Sequence, residues 1–283
     1  MTSNATPLVH SLSAWDGLAL HVLEWDAGQR LPPILCLPGL VRTGGDFEAL
    51  AASIGEGRRV IAVDYAGRGA SGRSRDINRY APEACARDVM DVCAALHIHD
   101  AVVIGTSFGG LLAMGLAAAR PGLMRAAILN DIGPDVGSEG ADFVRAFVGH
   151  DPALDSLDAC VAWLRTTLPP LSLDTDAAWR RMAELTYQPG ADGRFHPVWD
   201  TQIATLLNRP TPDLWPLFGM LSQRPVLLIR GGVSTILSPE TVLRMQAVHP
   251  GMQVVTLPGI GHAPTLSEPA ALAAITLLLE TLA

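Results

Sequence analysis

Six short apolar runs alternate along this chain with longer stretches of helical periodicity: ILCLP, RRVIAVD, AVVIGTS, RAAILND, PVLLIRG and MQVVTLP. No other feature restricts the fold so tightly. Each run is short for a helix and too uniformly apolar for a strand with one wet face, so the six predict strands covered on both sides. Between them, residues 82–96 set Ala84, Val89, Val92, Cys93 and Leu96 against Glu83, Arg87, Asp88 and Asp91, with Pro82 in the first turn. Residues 108–120, 238–248 and 268–282 read the same way, the last with Ser267 as its expected cap. Strand and helix in alternation predict an α/β fold, a mainly parallel sheet with helices on both faces. Ahead of it, LVHSLS and LALHVLEW flank Asp16-Gly17, which predicts an opening antiparallel hairpin closed by a tight turn.

One stretch breaks the alternation. Residues 132–223 show no strand-like run but helical patterns at 142–148, 157–167 and 177–186, separated by Pro-, Asp- and Gly-rich loops. The chain is therefore divided into a first core segment, 1–131, a helical insertion, 132–223, and a second core segment, 224–283. The insertion holds Trp163, Trp179, Trp199 and Trp215, four of the six tryptophans, which suits a lid with an aromatic underside. Trp163 and Trp199 are candidates for meeting a substrate.

With 283 residues, 49% of them hydrophobic, the chain can bury one large core. A net charge of -8 and the lack of clustered Lys and Arg argue against a nucleic-acid surface. Cys36, Cys85, Cys93 and Cys160 have no CxxC spacing and read as buried free thiols in a reducing compartment, not as metal ligands. The opening MTSNATPLVH has no charged stretch leading into an apolar one, and no run approaches membrane-spanning length. These features predict a soluble, cytoplasmic protein, without nucleic acid or membrane; they say nothing of oligomeric state.

The chemistry centres on GTSFG, residues 105–109. A G-x-S-x-G match alone is weak, but AVVI runs into it and LLAMGLAAA runs out, the strand, sharp turn and helix that would hold Ser107 above the sheet edge. A serine hydroxyl needs a base within hydrogen-bond reach. Of the eight histidines, His262 in PGIGHAP follows the last strand and precedes the final helix, where a loop at the carboxyl edge would bring it over Ser107. His196, in RFHPVWD, is the weaker candidate, reaching from the insertion. An oxyanion needs fixed N–H donors, expected from Phe108, just after the serine, and from Leu40 in CLPGLVR, where Pro38 has no N–H to give. Arg42, next in that loop, is a candidate for a substrate carboxylate, against a surface salt bridge.

GTSFG, the CLPGL loop, DYAGRGASGRS from Asp64, LNDIGP from Leu129, the helical insertion and Gly261-His262 together resemble the α/β-hydrolase fold family, in particular its bacterial small-molecule esterase and carbon–carbon-bond hydrolase branch. The resemblance spans nearly the whole chain. It implies a sheet of about eight strands, a helical cap inserted before the last two, acyl transfer to Ser107 from a small, largely apolar ester, thioester, lactone or vinylogous diketone, and neither metal nor organic cofactor. Asp64 and Arg68 are expected to fix the loop beneath the site.

One departure stands out. The family's acid usually follows the strand before the last, often in a Ser-Asp pair, and here that pair is Ser234-Thr235. The family also uses an acid at the end of the strand leading into the cap, which brings forward Asp131, with Asn130 as the rival for that site. Glu240 is a poorer substitute because it begins a helix. Three readings stay open: Asp131 is a displaced acid in a competent hydrolase; Thr235 orients His262 without charge in a slow enzyme; or the fold has become a binding module.

Overall fold

The computed structural model describes residues 6–26, 30–54, 57–210 and 212–282. Strands β1 (Leu8–Ser13) and β2 (Ala19–Asp26) form the opening hairpin. Its connection is wider than a two-residue turn: Ser13 pairs with Ala19, and only Gly17, at φ +85°, needs the left-handed conformation. Then come β3 (Ile34–Leu37), α1 (Glu48–Ile54), β4 (Arg59–Val63), α2 (Pro82–Ala95), β5 (Ala101–Thr106), α3 (Phe108–Ala119) and β6 (Met124–Asn130).

After β6 the chain leaves the sheet. The insertion carries α4 (Ser138–Val148), α5 (Leu157–Thr167), α6 (Asp176–Glu184), a hairpin of β7 (Tyr187–Pro189) and β8 (Phe195–Pro197), a 3-10 stretch at Thr201–Asn208 and α7 (Trp215–Gly219). Ser156 and Thr175 start α5 and α6 by accepting the amides of Ala159 and Ala178. The hairpin has no counterpart in the sequence pattern, because three-residue strands that pair with each other are too short to show a period. The chain returns as β9 (Val226–Gly231), α8 (Pro239–Val248), β10 (Gln253–Leu257) and α9 (Pro269–Thr281). Ser238 caps α8, whereas the residue before α9 is Glu268, one past the expected Ser267.

The main sheet has eight strands in the order β1-β2-β4-β3-β5-β6-β9-β10. The β1–β2 and β2–β4 pairs are antiparallel and the others parallel. Strand residues alternate between two buried faces. Leu35, Leu37, Val103 and Leu129 pack with α2, α3 and α8, and Ile34, Cys36, Ile104 and Ile128 pack with α1 and α9. That double burial is why the runs read as unbroken apolar segments. The connections leaving the neighbouring strands β3 and β5 run in opposite directions, to β4 on one side and to β6 on the other. Such a reversal opens a crevice at the carboxyl ends of the two strands, where ligands of open parallel sheets bind. The loops carrying Leu40 and Ser107 leave from those ends. Among the described residues no helix is long and apolar enough to cross a membrane.

Candidate active site

Ser107 stands between β5 and α3 at φ +51° and ψ −117°, a conformation that a side-chain-bearing residue adopts only when its surroundings impose it. The surroundings here are backbone. A Cβ on Gly109 would lie 2.0 Å from the Leu37 carbonyl oxygen, and one on Gly105 would lie 2.5 Å from the Gly109 carbonyl. Only glycine fits either place, so the turn is sharp and the hydroxyl is lifted off the sheet edge. The Ser107 amide donates to the Asn130 carbonyl at 2.9 Å, tying the turn to β6.

The loop after β10 brings His262 over this turn. Its Nε2 lies 2.9 Å from Ser107 Oγ and its Nδ1 2.8 Å from Asp131 Oδ2. Asp131 is wholly buried, and its second oxygen accepts the Gly231 amide at 2.8 Å. The carboxylate is thus fixed at both oxygens, and the imidazole is held at both nitrogens.

Asp131 takes this position through the backbone. It is the residue just past β6, its amide donates to the Ile229 carbonyl at 2.7 Å, and its φ is +54°. The left-handed turn swings its side chain toward β9 and His262. Asn130, the last residue of β6, goes elsewhere: its Nδ2 donates to Thr106 Oγ1 at 3.1 Å and to the Pro264 carbonyl at 2.9 Å. Thr235 is exposed, and its side chain makes no hydrogen bond among the described residues. Its carbonyl faces Gly137 and Gly140, where an added Cβ would come within 2.2 and 2.8 Å. Glu240 sits exposed in the first turn of α8. His196 is paired with Asp151 at 2.7 Å and Asp192 at 3.0 Å in the insertion and lines a separate cleft.

Leu40 and Phe108 flank the serine from two directions. Phe108 opens α3, where first-turn amides have no partner inside the helix. Leu40 follows Gly39, where an added Cβ would stand 3.9 Å from Ser107 Cβ. The loop beneath is fastened by Asp64, whose Oδ1 accepts the Gly44 amide at 2.7 Å and whose Oδ2 accepts the Ala70 amide at 3.2 Å and contacts His21 Nδ1 at 2.9 Å. Arg68, wholly buried in the same segment, donates through Nε to the Leu40 carbonyl at 2.9 Å.

Above Ser107 and His262 opens a cavity of about 590 Å³. Its floor includes Leu40, and its far wall comes from the insertion, with Phe143 and Phe147 on α4, Leu168, Leu171 and Leu173 in the following loops, and Met182 on α6. Charges at the wall are matched in pairs. Arg42 grips Asp46 through two hydrogen bonds of 2.7 and 2.6 Å and gives a further N–H to Thr186, and Arg181 reaches Glu48 at 2.8 Å.

The tryptophan expectation is corrected. Neither Trp163 nor Trp199 lines this cavity. Trp199 is 2% exposed, donates its indole N–H to the Val148 carbonyl at 2.9 Å and stacks on Phe147 at 5.6 Å. Trp163 packs with Cys160 and Leu164 in the insertion's own core and beside His150. A large indole is most stable where it is surrounded, which for Trp163 is inside the insertion and for Trp199 is the seam between the insertion and Val41, Ala66 and Tyr80 of the core. Phe143, Phe147 and the leucines of the 168–173 loop meet the cavity instead. Their spacing marks a buried side without saying what covers it.

The chain belongs to the alpha/beta hydrolase family, whose model matches residues 34–275. It is accordingly a hydrolase. It is similar to a 3-hydroxybutyrate-oligomer hydrolase of Cupriavidus necator, 32% identical over 267 residues that cover 90% of each chain. A 2-(acetamidomethylene)succinate hydrolase of Mesorhizobium japonicum is 28% identical over 87% of this chain and 85% of its own. Among solved structures, an alpha/beta hydrolase from Novosphingobium aromaticivorans superposes with a TM-score of 0.91 at 40% identity, covering 98% of this chain and 99% of that one.

Proposed function

We propose that this hydrolase cleaves small, largely apolar carboxylic esters by acyl transfer to Ser107, short oligoesters of the 3-hydroxybutyrate kind being the favoured substrate class. The observation that carries the reading is the unbroken Asp131–His262–Ser107 chain, 2.8 and 2.9 Å at its two links, opening into an apolar cavity.

In this reading Ser107 Oγ attacks the ester carbonyl carbon while His262 Nε2 takes the hydroxyl proton. The buried carboxylate of Asp131 holds Nδ1–H in place, and with it the tautomer that leaves Nε2 free as base, and stabilises the imidazolium that forms. The carbonyl oxygen becomes an oxyanion facing the N–H groups of Leu40 and Phe108. The intermediate collapses, the C–O bond to the alcohol breaks, and the departing oxygen takes the proton from Nε2. Water then attacks the acyl-serine with His262 again as base, releasing the acid and restoring Ser107. The insertion acts as a cap, closing apolar side chains over the acyl group and excluding bulk water.

The paired charges at the wall separate the ester reading from the one suggested by the second relative. A succinate derivative brings two carboxylates, and burying them needs cations free to pair. Arg42 and Arg181 each already hold a carboxylate of this chain. A 3-hydroxybutyrate oligoester brings a single carboxylate at one end, and the ester units themselves need no such partner. The test is turnover of 3-hydroxybutyrate dimer, trimer and nitrophenyl butyrate against 2-(acetamidomethylene)succinate, with Ser107→Ala as control and fluorophosphonate labelling of Ser107. Ester turnover and labelling that vanish in Ser107→Ala are expected. A preference for the dicarboxylate, or ester turnover that survives Ser107→Ala, would overturn the reading.

A further inference from the structure

Arg68 is wholly buried, yet among the described residues it forms no ion pair and its Nη2 has no hydrogen-bond partner. Buried arginines are ordinarily matched by carboxylates, since a buried unpaired charge is costly. What surrounds this one is partial negative charge. Nε donates to the Leu40 carbonyl at 2.9 Å and Nη1 to the Ala66 carbonyl at 2.7 Å, while the rings of Tyr65, Tyr80 and Phe108 stand 5.8, 5.7 and 5.7 Å from the guanidinium carbon. Arginine is well suited to such a place, being weakly hydrated and planar enough to lie among rings.

Two of these contacts are significant together. The Leu40 carbonyl belongs to one side of the proposed oxyanion hole, and the Phe108 ring to the residue that supplies the other. Tyr65 completes the backing: its hydroxyl donates to the Pro38 carbonyl at 3.1 Å and its ring meets Phe108 edge-on at 5.6 Å. The Arg68 loop is itself held from the insertion side, where the Gly69 amide donates to the Val198 carbonyl and the Asp200 amide to the Gly67 carbonyl. We infer that Arg68 is a positioning residue of the oxyanion hole, fixing the Leu40 backbone from beneath and placing an uncompensated positive charge behind the donors. This rests on the reading of Ser107 as nucleophile.

A charge held this way has little effect on a neutral ester and favours the state in which its carbonyl oxygen turns negative, so its loss should appear in kcat and not in KM. A residue that only staples the loop would change stability without that split. The experiment measures kcat and KM for nitrophenyl butyrate, and inhibition by an aryl trifluoromethyl ketone that becomes an oxyanion on addition of the serine, for the wild type, Arg68→Lys and Arg68→Met. For Arg68→Met, kcat should fall by about 30-fold with KM within about twofold, less than the 10²- to 10³-fold loss that follows removal of a direct donor. The ketone should weaken by the same factor. Arg68→Lys, which keeps the charge and loses the fork, should fall about fivefold in both.

Unchanged kcat and ketone affinity in a folded variant would overturn the inference, as would a change confined to KM. If Arg68→Met does not fold, Arg68→Lys decides alone by the same criterion. Failure of the parent reading would look different: the wild type itself would resist fluorophosphonate and turn over no ester, and the inference would fall with it.

Discussion

Replacing Asp131 by asparagine tests the site at its least replaceable atom. The side chain keeps its shape but loses its charge and one acceptor. In the native site both oxygens are used, Oδ2 by His262 Nδ1 and Oδ1 by the Gly231 amide, and with the residue wholly buried water cannot make up for a lost partner. An amide has only one oxygen to offer two donors. If that oxygen stays on Gly231, the NH₂ faces Nδ1 and selects the imidazole tautomer protonated on Nε2, which cannot accept the Ser107 proton. If it turns to His262, the NH₂ opposes the Gly231 N–H, a mismatch of about 1–3 kcal/mol. Neither orientation supplies the charge that stabilises the imidazolium. The equivalent change in serine proteases lowers kcat about 10⁴-fold, about 5.4 kcal/mol of barrier, and a loss of about 10³ to 10⁴ is expected here. The assay is kcat/KM for nitrophenyl butyrate across pH, with thermal unfolding of the same samples to separate chemistry from folding. A folded Asp131→Asn enzyme within tenfold of wild type would refute the assignment of Asp131 as the acid.

Thr235→Ala should leave kcat/KM within about twofold, because the side chain is exposed and makes no hydrogen bond to His262; a loss beyond tenfold would return Thr235 to the triad. Gly109→Ala should destabilise the fold by about 3 kcal/mol or prevent it, because its Cβ would sit 2.0 Å from the rigid Leu37 carbonyl, and an unchanged urea midpoint would contradict the close approach. The cysteines should be inert. Burial pushes the Cys85 thiol up to about 11 and Cys93 up to about 12, and Cys36 is raised further, so at pH 8 almost no thiolate forms. A disulfide reagent at that pH should find no fast thiol in the native protein and four after denaturation, all four cysteines being free and buried.

Much of this molecule was written locally. The six apolar runs became parallel strands because each is covered on both faces, a property carried by the residues themselves. The turn that presents Ser107 was legible for the same reason: Gly105, Gly109, the strand before and the helix after lie within a few residues of one another. His262 could be placed by its position after the last main-sheet strand. What sequence spacing left open was settled by contacts between distant segments. Asp131, not Asn130 or Thr235, meets His262 across 131 positions because it follows β6 in a left-handed conformation that redirects its side chain. The same holds for the insertion. Its helical periods showed that one side of each helix would be buried, but not that Trp163 would fill its own interior and Trp199 its seam with the core while Phe143 and Phe147 face the cavity. Local pattern determines which side chains leave water. Which of them meet is decided by the packing of whole elements, and the carboxylate partner of His262, the cavity wall and the buried surroundings of Arg68 all depend on it.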